Sequence, residues 1–245
     1  MEKSIKPVKK PTTFKEKDIT KIPTTSTGDI LQTLARAGMA TVPYVGGSAV
    51  QIFNSVITPP LIKRRDEWVQ SIATRLVELE GTIEGFSIDN LSKNEVFITT
   101  VLHATNTAIT NHHEEKLKAL RNAVINSALP NPPEEDLQLM FINFIDSLTP
   151  WHLRVLSLLH NPRIYMDKNA IKRPSFSQAG LRSMIIHVFP DLKTQADLLN
   201  QIIRDLYSRG LIQSDSIGTL LSEGGYLDPQ TTQLGRQFIA FITSD

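Results

Sequence analysis

Twenty-four consecutive residues, Met39 to Ile62, carry no charged side chain, although Arg36 precedes the run and Lys63, Arg64 and Arg65 follow it. A segment of that length is long enough to span a bilayer, which needs about 20 apolar residues. Its interior argues against a simple span, because Pro43, Gly46, Gly47, Gln51 and Asn54 interrupt the apolar character. Val42, Val45, Ala49, Ile52, Phe53, Val56 and Ile57 recur at three- and four-residue steps and make one apolar face of a helix. Such a face suits a core helix, a helix that docks on a partner, or an amphipathic segment that enters a membrane after a trigger. In the last case Lys63, Arg64 and Arg65 would contact anionic lipid headgroups.

The remaining pattern is helical. Pro59 and Pro60 are expected to end the apolar helix and to occupy the first turn of the next, whose stripe is Leu61, Trp68, Ile72, Leu76, Leu79 and Ile83. Further helices are predicted at Asn90 to Thr110 and His113 to Ala128. Pro130, Pro132 and Pro133 form the sharpest break, after which Glu134, Glu135 and Asp136 favour a helix N-terminus. Thr149 followed by Pro150 reads as an N-cap and a first-turn proline. Residues 1 to 27 hold seven lysines and almost no large apolar side chains, so they are expected to form a disordered basic tail. A polybasic arm contacting phosphates or lipid headgroups is the alternative. At 245 residues, 40% of them hydrophobic, the chain can bury a sizeable core. The expected organisation is a mainly α fold: a tail at 1–27, a helical bundle at 28–130, and a second domain at 134–245.

The order of elements in that second domain is specific. Helices are predicted from Ser177 to Val188 and from Lys193 to Arg209, the second with Thr194 and Asp197 at capping-box spacing and Gly210 at its C-terminal cap. Leu211 and Ile212 read as a strand, a loop with Gly218, Gly224 and Gly225 follows, and Tyr226 and Leu227 read as a return strand, giving a short β-ribbon. A last helix is capped by Thr231 or Thr232 and buries Leu234, Phe238, Phe241 and Ile242. The runs "LTPWHLRVLSLL", "IIRDLYSRGLI" and "TTQLGRQFIAFI" resemble the first helix, the third helix with its strand, and the post-wing helix of bacterial winged-helix domains. More loosely, "LRNAVINSALPNPPEEDLQLMFINFIDSLTPWHLRVL" between an apolar segment and this module is similar in layout to bacterial abortive-infection proteins of the alpha type, which are linked to phage defence.

The resemblance implies a third helix able to enter a DNA groove, with Lys193, Thr194, Gln195 and Asn200 near bases and Arg204 and Arg209 toward the phosphates. The charge opposes that use. Asp197 and Asp205 share the helix, no lysine or arginine lies between Leu211 and Thr232, and the chain's net charge is +1. A protein partner is therefore the leading expectation, with nucleic acid, an anionic membrane and a homodimer as alternatives. Catalysis has little basis. There is no cysteine, and His112-His113-Glu114-Glu115 lacks the four-residue histidine spacing of a helical metal site. His152 and His187 lie among apolar neighbours and read as core or boundary residues. No glycine-rich phosphate loop or serine elbow occurs. The chain is expected to be a non-enzymatic protein with no cofactor. It is expected in the cytoplasm, with attachment to the inner face of the membrane as the alternative, because residues 1–27 lack the apolar core of a secretory signal.

Overall fold

The computed structural model describes residues 47–174 and 178–244, with side chains from residue 58 onward apart from those of Gln178 and Glu223. The basic tail, Val42 and Val45 lie outside these residues. So do the side chains of Ala49, Ile52, Phe53, Val56 and Ile57, whose backbone belongs to the first helix. Among the described residues the fold is mainly helical.

Helix α1 runs from Gly47 to Thr82. Pro59 and Pro60 lie inside it, where a break was expected. Proline's fixed φ is compatible with a helix, but each one removes an N–H donor and crowds the carbonyl four residues earlier, at a cost of about 3 kcal/mol or more. The helix carries this, and the compact unit formed by Pro60–Asp245 starts at the second proline. In that unit α1 buries Trp68, Ile72, Leu76 and Leu79 at the expected steps, and the Trp68 indole N–H donates to Thr105 Oγ1 at 3.0 Å. The helix expected from Asn90 is split into a turn, α2 (Ile88–Leu91), and α3 (Glu95–Thr110), because the Asn94 side chain accepts from Phe97 N–H and caps α3.

Helix α4 (Glu114–Ala128) is central. It packs on α3, on α5 (Glu135–Ser147), on α6 (Pro150–His160) and on the last helix, α11 (Gln233–Ile242). Leu120, Ala123 and Val124 are fully buried along it, the alanine letting a neighbouring backbone come close. Asn122 and Asn126, one helical turn apart, turn their amides onto the end of α11. Asn122 Nδ2 donates to the carbonyl of Ile242 (2.9 Å), and Asn126 Nδ2 to those of Phe241 and Thr243 (both 2.9 Å). These carbonyls have no partner within α11 itself.

The proline cluster is a turn between packed helices and does not separate compact units. Asn131 takes the left-handed conformation there (φ 60°), which asparagine tolerates. A buried relay secures it: Thr100 Oγ1 donates to Gln138 Oε1 (3.0 Å), and Gln138 Nε2 donates to the Pro133 carbonyl (2.7 Å). The buried Lys116 ammonium is satisfied by the Asp146 carbonyl at the end of α5 (2.6 Å).

After α6 come α7 (Pro162–Lys168), strand β1 (Gln178–Ala179), α8 (Leu181–Val188), a 3-10 turn (Pro190–Thr194), α9 (Ala196–Ser208), strand β2 (Leu221–Ser222), α10 (Glu223–Leu227) and α11. Three expectations are corrected here. Tyr226 and Leu227 are helical, and the return strand is Leu221–Ser222, paired antiparallel with β1 in the register Ala179 opposite Leu221. Ile212 bridges Thr231 instead. Alpha8 starts at Leu181, since Gln178 and Ala179 are committed to β1. Alpha9 starts at Ala196 with Gln195 in the cap position, Thr194 being taken by the 3-10 turn. The end of α9 follows expectation. Gly210 has φ +69°; its N–H bonds the Tyr207 carbonyl (2.8 Å), and Leu211 N–H bonds the Leu206 carbonyl (3.0 Å), the two bonds of a Schellman closure. Thr232 caps α11, accepting from Gly235 N–H at 2.9 Å.

Candidate functional site

The face to be judged is the outer side of α9 with the 3-10 turn before it and the loop after it. Alpha9 buries Leu199, Ile202, Ile203 and Leu206 and leaves Asp197, Gln201, Arg204, Tyr207 and Ser208 exposed, so its amphipathic pattern fixes which side chains a partner could meet. The six residues expected to contact a nucleic acid differ in exposure and bonding. Lys193, Thr194, Gln195 and Arg204 are exposed. Asn200 accepts a bond from Arg182 Nη2 of α8 (2.7 Å). Arg209 is folded back over the Phe144 ring of α5, 5.4 Å from guanidinium carbon to centroid, and so supports the core side of the helix rather than a phosphate. The loop from 213 to 220 offers Asp215 and an exposed Leu220 (68%). Tyr207 on α9 is also exposed (46%), so the helix and the loop each present one large side chain to solvent.

One histidine ties this face to the core. His152 sits at the third position of α6 and completes a capping arrangement in which its Nδ1 accepts from Thr149 N–H (3.2 Å) and lies 2.8 Å from Thr149 Oγ1. Nδ1 therefore carries no proton, and Nε2–H donates to Asp205 Oδ2 of α9 at 3.2 Å. Burial is the main cause holding its pKa below the ordinary histidine value, with the Asp205 carboxylate pulling the other way. His160, beside Thr231 Oγ1 (3.3 Å), is lowered for the same main reason. Both groups bind protons more weakly when folded, so the stability they confer is complete above about pH 6.5 and is lost as the pH falls from there through the folded pKa values. Glu115 is lowered chiefly by its bond from Arg154, and its contribution disappears only in the lower carboxylate range. Urea midpoints should therefore fall between pH 7.5 and 5.5, with a slope of at most about 1.4 kcal/mol per pH unit for each proton taken up. His152→Gln should flatten that slope, and an unchanged slope would remove His152 from the account.

The three cations after the apolar run are partly engaged. Lys63 Nζ lies 3.7 Å from Glu67 and Arg65 Nη2 2.8 Å from Asp66, while Arg64 lines a cleft with Trp68 and His112. Among the described residues no helix is long and apolar enough to cross a membrane, and no group of three histidine or acidic side chains is close enough to hold a metal ion. His187 Nε2 is 2.7 Å from the Lys172 carbonyl. Sequence reading missed the Thr149–His152–Asp205 link, although a histidine three residues after a cap is a readable stand-in for the usual glutamate. It also missed the Arg154–Glu115 pair, 39 residues apart, for which no local signal exists. Comparison with known protein families, curated proteins and solved structures finds no match to this chain.

Proposed function

We propose that the chain is a non-catalytic bacterial protein of the defence or stress type that works by binding another protein through a winged-helix-like module at 148–243. Supporting the winged-helix reading is that, after α6 and α7, the order is strand, helix, 3-10 turn, helix, bridge, loop, strand, in which the two strands pair antiparallel. The observation that carries the choice of partner is the surface of α9 and its loop. It presents Tyr207 and Leu220 to solvent, and no lysine or arginine lies between Leu211 and Thr232. Duplex binding rests on neutralising phosphates, and each lost contact weakens salt-dependent affinity. With Arg209 turned inward, Lys193 and Arg204 are the cations among the six expected contacts that remain exposed for that role. Exposed aromatic and aliphatic side chains within a weakly charged rim are instead the composition of a protein interface.

A photo-crosslinking residue placed at Leu220 or at Tyr207 in the full chain, activated in living bacterial cells, tests this. Discrete protein adducts from both positions, and none from exposed Lys93 on the bundle, are the expected result. Duplex DNA bound with submicromolar affinity that falls steeply between 50 and 200 mM salt would overturn the reading in favour of a regulator.

A further inference from the structure

Several clefts border α4, and two of them differ in charge. The larger, about 830 Å³, lies between α1 and α4. Its charges balance, Arg75, Lys118 and Arg121 facing Glu78, Glu114 and Glu115, and Arg75 is paired with Glu78 at 2.8 Å. The smaller, about 370 Å³, opens where α4, α6, α7 and the end of α11 converge. There the balance fails. Lys118, Arg154 and Lys168 line it against the single carboxylate of Glu115, which Arg154 already binds through Nε (3.0 Å) and Nη2.

Ala119, Leu153 and Ile242 supply an apolar part of the lining, and two hydroxyls line it as well. Lys118 and Lys168 form no ion pair among the described residues, and the hydroxyls of Ser157 and half-buried Tyr165 make no hydrogen bond there. The carbonyl of Ile242, a residue of the lining, accepts from Asn122 Nδ2 (2.9 Å). Among the described residues the cleft is lined by more cations than carboxylates, a balance that suits a ligand with several anionic oxygens, for which arginine and lysine are the usual holders. The volume is at the lower end of small-molecule sites, about 300–1,000 Å³, which suits a phosphate ester or mononucleotide and excludes a folded partner.

We propose that this cleft binds a small phosphorylated ligand whose phosphate or diphosphate group is held by Lys118, Arg154 and Lys168. The site is separate from the α9 face and adds a ligand to the protein-binding reading without depending on it. An optical reporter is built in: Arg154 lies over the Trp151 ring (5.1 Å), and Trp151 meets Phe189 edge-on (5.7 Å), as does Tyr165 (5.9 Å).

Titration of the full chain with inorganic pyrophosphate at low salt, followed by calorimetry and tryptophan emission, is the test, with inorganic phosphate and AMP as parallel arms. Saturable one-site binding is expected, weakened at least tenfold in a Lys118→Ala, Lys168→Ala variant. Both lysines are exposed, so this variant should melt like the parent, and Lys93→Ala should bind as the parent does. Tighter binding of AMP than of pyrophosphate would identify a nucleotide or related ester, and the reverse order a free polyphosphate. No saturable binding of any of the three, or equal binding by the double variant, would overturn the proposal.

Discussion

Gly235→Ala is expected to destabilise the protein by about 3 kcal/mol or more, the upper range for overpacking, although it adds one methyl group. A Cβ at this position would stand 2.0 Å from the Leu211 carbonyl oxygen and 3.0 Å from its carbon. Both are backbone atoms, so no rotamer change relieves the clash. Helix α11 would have to retreat from the chain that leaves α9. That retreat breaks the bond from Thr232 N–H to the Leu211 carbonyl (3.1 Å), the bond from Thr232 Oγ1 to the Gly210 carbonyl (2.5 Å), and the bridge between Ile212 and Thr231. Gly218→Ala is the control, because a Cβ there has nothing within 4 Å. Urea unfolding of the two variants beside the parent decides it: a Gly235→Ala midpoint indistinguishable from that of Gly218→Ala would mean the close approach is not rigid.

Phe141→Ala should cost about 3–5 kcal/mol, the range for removing a buried aromatic ring. Phe141 is fully buried and meets Phe238 at 5.3 Å, Phe241 at 5.6 Å and Phe144 at 6.3 Å between ring centroids. Two of these rings belong to α11, so the cavity opens between α5 and the last helix. Because α11 also rests on α4, the loss should be felt throughout Pro60–Asp245. The two tryptophans, Trp68 in α1 and Trp151 in α6, should report one shared transition with helical circular dichroism, displaced to lower urea as a whole. Two separated transitions would show that the halves on either side of the proline turn unfold independently.

Most of the helices were legible because their apolar residues recur every three or four positions, and caps such as Thr149 and Thr232 are local signals. Gly210 was legible for the same reason, since a left-handed closure after a helix asks for glycine. The errors share a cause. Whether Pro59 and Pro60 end a helix depends on what the flanking turns gain, and whether Leu221 or Tyr226 forms the return strand depends on the partner, Ala179, lying 42 positions before Leu221. A strand of two residues has too little pattern to announce itself. At the candidate surface, sequence supplied the charge balance of the loop but not the direction of Arg209, because its contact with Phe144 joins helices 65 positions apart. The cation-lined cleft was beyond reach for the same reason: Lys118 and Lys168 are brought together by three helices, not by spacing.

The amides of Asn122 and Asn126 that close the end of α11 bear on how the chain is made. Their partners lie 115 to 120 positions further along, a separation unusual for helical folds, which mostly fold fast through local contacts. A nascent chain that has already produced α4 still lacks the aromatic side of its own core until residues 238–243 have left the ribosome. At about 5–20 residues per second, the surface that α11 will cover stays open for at least several seconds of synthesis, and any partner that recognises that surface must act within that interval.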